Sequence, residues 1–347
     1  KMTSKISRVW LNRQGGRRRR RRGKLLVVLS SSETLWRCDN LTGDEMNTNA
    51  NTTLLVSATS LTTGHTQSCE LTSLPVGVMP TLAAATFTAS GDYVVIVCMK
   101  MSDSSMELHA WRVRQRETSA LSIVGNIKTA LNNNVGTVDA ISLSSYDGLL
   151  TATLGTTVRT TPRHCQLLCG TIDIGSNGGN DNISTMVSNL IPKNCVKVHS
   201  LTSNGGGYIA GVISIQESKP GRSSSGARGL KEIAVCVWEK VSSMLRLDSV
   251  FHTGKFQEKS GTGTHQEDNV HCAILCERCN STVTLLVGVD VKLIKYIRVP
   301  SDNPCTSKWV TEPSNYPALP LSVTAVGVDS STGAILLGCN SEMVILS

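Results

Sequence analysis

Three cysteines stand close together late in the chain, in Cys272-Ala-Ile-Leu-Cys276-Glu-Arg-Cys279. Three thiolates at this C-x3-C-x2-C spacing suit a [4Fe–4S] cluster, whose irons are held by cysteine sulfur. The surroundings argue otherwise. Only 68 residues follow Cys279, too few for the large α/β barrel that such cluster chemistry is built on, and Arg278 stands where an aromatic usually precedes the last thiolate. Val270, Cys272, Ile274 and Cys276 alternate as one face of a strand, which points them into a core. His271, Cys276 and Cys279, with another cysteine, would alternatively make a tetrahedral nitrogen and sulfur set for zinc. Cys165 and Cys169 raise the same question. The expectation is a chain without cofactor or metal, with Cys272, Cys276 and Cys279 as the candidates for one.

The strongest charge signal is the run Arg17, Arg18, Arg19, Arg20, Arg21 and Arg22, flanked by Arg13 and Lys24. Six adjacent guanidinium groups repel one another and resist burial, so the run belongs in a solvated loop or tail. It reads either as a contact to RNA or an import receptor, or as a low-complexity loop without a partner. No aromatics interleave with it, so base stacking is not indicated. The insert 217–229, rich in Ser and Gly with Lys219, Arg222 and Arg228, reads as a disordered loop with serines open to phosphorylation. Catalytic arrangements are missing. There is no G-x-S-x-G elbow. His252-Thr-Gly254-Lys255 lacks the upstream glycine and the Ser/Thr of a phosphate loop, and Gly261-Thr-Gly263 stops short of a dinucleotide fingerprint. The seven histidines are scattered, which suits structural or exposed roles.

Charge separates the start of the chain from its body. Residues 1–24 carry eleven Lys and Arg and no acidic residue; the remaining 23 basic residues face 26 acidic ones. A dedicated nucleic-acid domain more often spreads its basic residues over a folded face. No run of 18 apolar residues occurs, so no membrane span is expected. The start, Lys1-Met2-Thr3-Ser4-Lys5, lacks the apolar core of a secretory signal. The twelve cysteines are therefore expected to be reduced, in a cytosolic or nuclear setting, and several sit in apolar runs as small hydrophobes. The sequons at Asn40, Asn51, Asn182 and Asn280 would matter only in a secreted protein.

The elements that must position these residues are short apolar runs of five to nine residues, separated by Gly, Ser, Asn or Asp turns. This predicts an all-β chain. Residues 126–134 are the best helical candidate. One unit recurs: apolar strand, polar turn, apolar strand, turn, third strand ending in an aromatic. Its clearest copy spans 82–113, with 120–124 as an outer strand. Further copies begin at Thr137, Cys195, Val270 and Ser322, and a weaker one lies at 24–36. Third-strand markers at Trp36, Trp111, Val158, Trp238, Tyr296 and Val344 give six units. Their spacings of about 47 to 80 residues exceed the 40–45 usual for a four-stranded unit, and polar inserts at 40–51, 174–186, 217–229 and 256–268 account for the excess. Ile6-Ser-Arg-Val-Trp10-Leu11 is a candidate to supply a closing strand from the N-terminal segment, 1–23, leaving 24–347 as the main domain. A pair of β-sandwiches is the alternative architecture.

The units resemble WD40 repeats, through third-strand ends at Leu35-Trp36, Ala110-Trp111, Val237-Trp238 and Lys295-Tyr296 and through Ser/Asp-Gly turns such as Ser90-Gly91-Asp92. Gly64-His65 stands alone in a polar loop, and Trp-Arg or Trp-Glu replaces Trp-Asp, so the family's blade-rigidifying network is not assigned to named residues. The resemblance implies an all-β propeller of six or seven four-stranded antiparallel blades, each covering the next. It also implies a non-enzymatic scaffold holding other proteins of a multi-subunit assembly, as in the WD40 scaffolds of ribosome biogenesis. The basic segment then makes that assembly nuclear or nucleolar. Two alternatives stand beside it: a cytoplasmic trafficking or coat subunit, and a propeller enzyme with a metal site in its central channel.

Overall fold

The computed structural model describes residues 6–10, 23–30, 34–41, 52–115, 120–131, 136–146, 149–158, 164–174, 183–188, 191–192, 194–203, 207–216, 231–241, 244–256, 270–276, 282–289, 291–299, 308–312, 323, 325–328, 335–339 and 342–346. Every regular element among them is a strand. β1 (Ile6–Trp10) comes first. β2 (Gly23–Ser30), β3 (Thr34–Leu41), β4 (Thr52–Ser60) and β5 (Thr66–Leu74) form one sheet in chain order. β6 (Met79–Phe87), β7 (Tyr93–Lys100), β8 (Met106–Gln115) and β9 (Leu121–Ala130) form a second. A third holds β10 (Thr137–Tyr146), β11 (Leu149–Val158), β12 (His164–Ile172) and β13 (Ile183–Ser188). A fourth holds β14 (Cys195–Ser203), β15 (Tyr208–Gln216), β16 (Lys231–Val241) and β17 (Met244–Phe256). A fifth holds β18 (Val270–Cys276), β19 (Val283–Val289), β20 (Lys292–Val299) and β21 (Lys308–Glu312). The sixth contains β22 (Ala325–Val328), β23 (Ile335–Cys339) and β24 (Glu342–Leu346), with β1 antiparallel to β24 and Ile6 opposite Leu346.

The chain divides into two compact units. One comprises 13–153 and 169–186, the other 1–12, 154–168 and 187–347. In the first, the sheets β2–β5 and β6–β9 share a core. Trp36, Cys38, Leu54 and Val56 meet Tyr93, Val95, Val97, Met99, Trp111 and Val113. β7 is a continuous apolar run rather than an alternating one, and residues 93–99 are all buried. A strand covered on both faces needs no polar side. In the second unit, Ala210, Val212, Ile233, Val235 and Val237 pack on Val270, Cys272, Ile274, Leu285 and Val287. β15 and β19 are likewise buried on both faces.

Three sequence expectations are corrected. Residues 126–130 lie in β9, not a helix. They pair antiparallel with β8, Ile127 opposite Ala110, and that ladder satisfies their backbone groups better than a helix interrupted by Asn132, Asn133 and Asn134 would. Trp36 lies on β3, the second strand of its sheet, and Val158 ends β11, also a second strand. β5 is largely polar and β4 carries only the short apolar run Leu54-Leu55-Val56 among Ser and Thr, so by sequence Trp36 reads as the end of a unit. The inserts 40–51 and 174–186 shrink for the same reason, since Asn40 and Leu41 belong to β3 and Ile183 opens β13. Trp111, Trp238, Tyr296 and Val344 do lie on third strands, in β8, β16, β20 and β24.

Candidate functional site

The most developed polar site lies in the first unit, at the turn between β6 and β7. Thr88-Ala-Ser90-Gly91-Asp92 reverses the chain in five residues. The Thr88 N–H donates to the Asp92 carbonyl at 2.9 Å, the Gly91 N–H donates to the Thr88 carbonyl at 2.9 Å, and the Asp92 N–H donates to Thr88 Oγ1 at 3.0 Å. Gly91 has φ +81°, the left-handed conformation that this turn requires and that glycine adopts without penalty.

The turn buries the Asp92 side chain, 3% exposed, beside β8. Arg112 and Arg114 are two apart on β8 and so share a face, while Val113 between them faces the core opposite Tyr93. Arg112 donates through Nε to Asp92 Oδ2 at 2.6 Å. Arg114 grips the carboxylate with two donors, Nε to Oδ1 at 2.7 Å and Nη2 to Oδ2 at 2.9 Å. Ser90 Oγ adds a bond to Oδ2 at 3.3 Å and accepts one from Arg112 Nη2 at 3.0 Å. These bonds, Arg114's first, hold the Asp92 carboxyl below its ordinary value against the opposing pull of burial. A carboxylate so saturated neither donates nor takes up a proton near neutrality. Its role is to fix two guanidinium planes.

The Arg114 plane rims an open cleft of about 410 Å³, lined also by Thr34, Trp36, Phe87, Ser90, Gly91, Asp92 and Gln115. Its apolar side is an aromatic cluster. Trp36 stacks on Tyr93 at 4.9 Å and meets Phe87 edge-on at 6.2 Å. The cleft thus combines a rigid aromatic wall with a half-exposed guanidinium whose orientation is already set. Such a surface accepts a carboxylate or phosphate beside an apolar group.

No family model matches this chain, and no curated protein matches its sequence. Solved structures do. A Trypanosoma rangeli sialidase in complex with the inhibitor DANA matches with a TM-score of 0.50 and 10% identity, over 98% of this chain and 59% of that one. Drosophila Semaphorin 2a matches with a TM-score of 0.48 and 9% identity, over 94% and 74%. The β-propeller domain of Vanderwaltozyma polyspora Nup133 matches with a TM-score of 0.44 and 8% identity, over 92% and 91%. The fold is an all-β propeller. At these identities the likeness speaks of fold alone.

Within this propeller the cysteines singled out by spacing fall on strands. Cys272 and Cys276 are both on β18, so four residues of strand rise, roughly 13 Å, separate them. Cys165 and Cys169 are set apart in the same way along β12. One ion or one cluster does not bridge such a distance. Cys272 is a core residue against Val287, and burial pushes its thiol up to about 12, away from the thiolate a metal needs. Cys279 lies outside the described residues, as do Arg17, Arg18, Arg19, Arg20, Arg21 and Arg22 and the insert 217–229. Among the described residues no three His, Cys, Asp or Glu side chains converge as a metal set.

A second polar network, in the other unit, is structural in character. Trp309 Nε1 on β21 donates to Asp248 Oδ2 on β17 at 2.7 Å, and Arg298 on β20 lies 3.7 Å from both Asp248 and Glu239. Tyr208 donates its hydroxyl to Glu239 at 2.9 Å and lies under the Arg298 guanidinium. Neither this network nor the Asp92 cleft was found from sequence. The signals available were the Ser90-Gly91-Asp92 turn and the alternation Arg112-Val113-Arg114, and both are ordinary until the fold brings β7 and β8 together.

Proposed function

We propose that this propeller is a non-enzymatic, WD40-like scaffold that holds other proteins of a multi-subunit assembly, using the Asp92 cleft as one recognition site. The observation that supports it is the pre-set Arg114 guanidinium beside Trp36 and Phe87. Arginine and aromatic side chains in a rigid setting are the residues on which protein recognition most often turns. A buried carboxylate holds the arginine, so little side-chain entropy is lost when a partner docks. The partner feature that fits is an acidic side chain next to an apolar one. The ionised, saturated Asp92 serves this role and not proton transfer, which favours binding over catalysis. In the same reading the assembly is nuclear or nucleolar, and Arg17, Arg18, Arg19, Arg20, Arg21 and Arg22 touch RNA or an import receptor.

Affinity purification of the full chain from native extract, with and without ribonuclease, tests this directly. Wild type is expected to recover defined proteins, and Arg114→Gln to lose a subset of them at least tenfold. Recovery of no stable protein, or an unchanged set from Arg114→Gln, overturns the scaffold reading or its site respectively. Partners that vanish with ribonuclease, and also on deletion of 13–24, would trace to the basic segment.

A further inference from the structure

In the other unit, two cysteines distant in sequence are brought together by a bulge. On β11, Gly155 faces β14 so closely that a Cβ there would lie 2.6 Å from Val198 Cγ1. Thr157, two residues on, points to the same side of its strand. Its hydroxyl contacts Cys165 Sγ on β12 at 3.6 Å, so Cys165 also lies on the face turned toward β14. On β14, regular alternation would aim residues 195 and 198 to opposite sides. The ladder with β15 instead slips between Cys195 and Lys197: Cys195 stands opposite Ile215 and Val198 opposite Ile213. Two partners two apart share a face, so Cys195 shares the face of Val198. The two sulfurs meet in this seam, close enough to perturb one another. Cys195 is buried, its sulfur also reaching the Lys197 carbonyl at 3.5 Å, while Cys165 is half-buried.

We propose that Cys165 and Cys195 are an oxidisable pair that closes to a disulfide joining β12 to β14. The more accessible Cys165 thiolate attacks one sulfur of a low-molecular-weight disulfide such as glutathione disulfide. One glutathione leaves, and a Cys165–glutathione mixed disulfide remains. The Cys195 sulfur, losing its proton, then attacks Cys165 Sγ and expels the second glutathione. Two protein thiols and one glutathione disulfide become one protein disulfide and two glutathione thiols, which balances. An accessible cysteine beside a resolving one is the arrangement that oxidation-sensitive sites share. The neighbouring Cys165 sulfur, then burial, raises the pKa of the Cys195 thiol and keeps it protonated in the reduced pair. Bonding Cys165 to glutathione removes the first of these causes, and the Cys165 sulfur becomes the electrophile that Cys195 attacks second.

The test exposes the purified full chain to glutathione disulfide, traps remaining thiols with N-ethylmaleimide, and maps unreduced peptides by mass spectrometry. The expected product is a peptide pair linked through Cys165 and Cys195, with two thiols lost per chain and no glutathione retained at Cys165. Cys195→Ser should hold glutathione on Cys165 instead. Wild type that keeps glutathione on Cys165 without the link, or that alkylates fully at both positions, overturns the proposal. The wild-type map suffices even where the variant fails to fold.

Discussion

Asp92→Asn keeps the shape of the side chain and removes the charge on which two arginines converge. Three guanidinium N–H groups reach the carboxylate, at 2.6, 2.7 and 2.9 Å. A hydrogen bond to a charged group contributes about 1.5–3 kcal/mol. Three full bonds overstate the loss, because Arg112 and Arg114 are 26% and 50% exposed and regain water when released. Discounting for that screening leaves a cost of about 2–3 kcal/mol. With a urea slope of about 2–3 kcal/mol/M the unfolding midpoint falls by roughly 1 M. The pH dependence supplies a second check. Asp92 has a lowered carboxyl pKa in the folded chain, so its stabilisation is complete above the unfolded value and is lost as pH falls through the folded one. The gap between wild type and Asp92→Asn should hold constant from about pH 5 to 8 and narrow below about pH 4. Urea titrations followed by tryptophan fluorescence at pH 7 and pH 3.5 measure both. A variant that unfolds at the wild-type midpoint at pH 7 would refute the claim that Asp92 organises this corner, as would a gap that widens in acid.

Gly155→Ala places a Cβ 2.6 Å from Val198 Cγ1 and 2.9 Å from its Cβ, and the Val198 Cβ has no room to swing aside. Overpacking of this kind costs about 1–3 kcal/mol, to be read by calorimetry, and Val198→Ala in the same chain should recover part of it. Trp309→Phe keeps the edge-on contact to Phe251, at 5.6 Å, but withdraws the indole donor from Asp248, whose side chain is only 2% exposed. The expected loss is about 1–2 kcal/mol, measured by urea unfolding; a neutral result would mean that solvent replaces the bond.

Much of the architecture was written in local chemistry. β7, β15 and β19 are mostly apolar runs, interrupted only by Ser214 in β15 and Thr284 in β19, and each is a strand buried on both faces. Apolar runs of this length suffice to locate such strands, because burial on both faces leaves few polar residues to interrupt them. Outer strands such as β5 and β21 alternate weakly or carry exposed polar residues, since one side meets water. β4 offers only the short apolar run Leu54-Leu55-Val56 between Ser and Thr residues, and β5 is largely polar, so Trp36 reads as the end of a unit although it lies on a second strand.

Composition and local pattern carry the all-β class, the concentration of positive charge in residues 1–24, and the near-neutrality of the rest. These depend on composition and nearest neighbours. The tertiary structure alone decided which polar residues meet. Cys272 and Cys276 are four apart in sequence and far apart in space, because a strand is extended. Cys165 and Cys195 are thirty apart and meet, because the bulge between Cys195 and Lys197 turns Cys195 toward the neighbouring sheet. Asp92 finds Arg112 and Arg114 only once β8 has paired with β7. Spacing along a chain becomes distance only through the conformation that carries it, and here that conformation is pairing between strands remote in sequence.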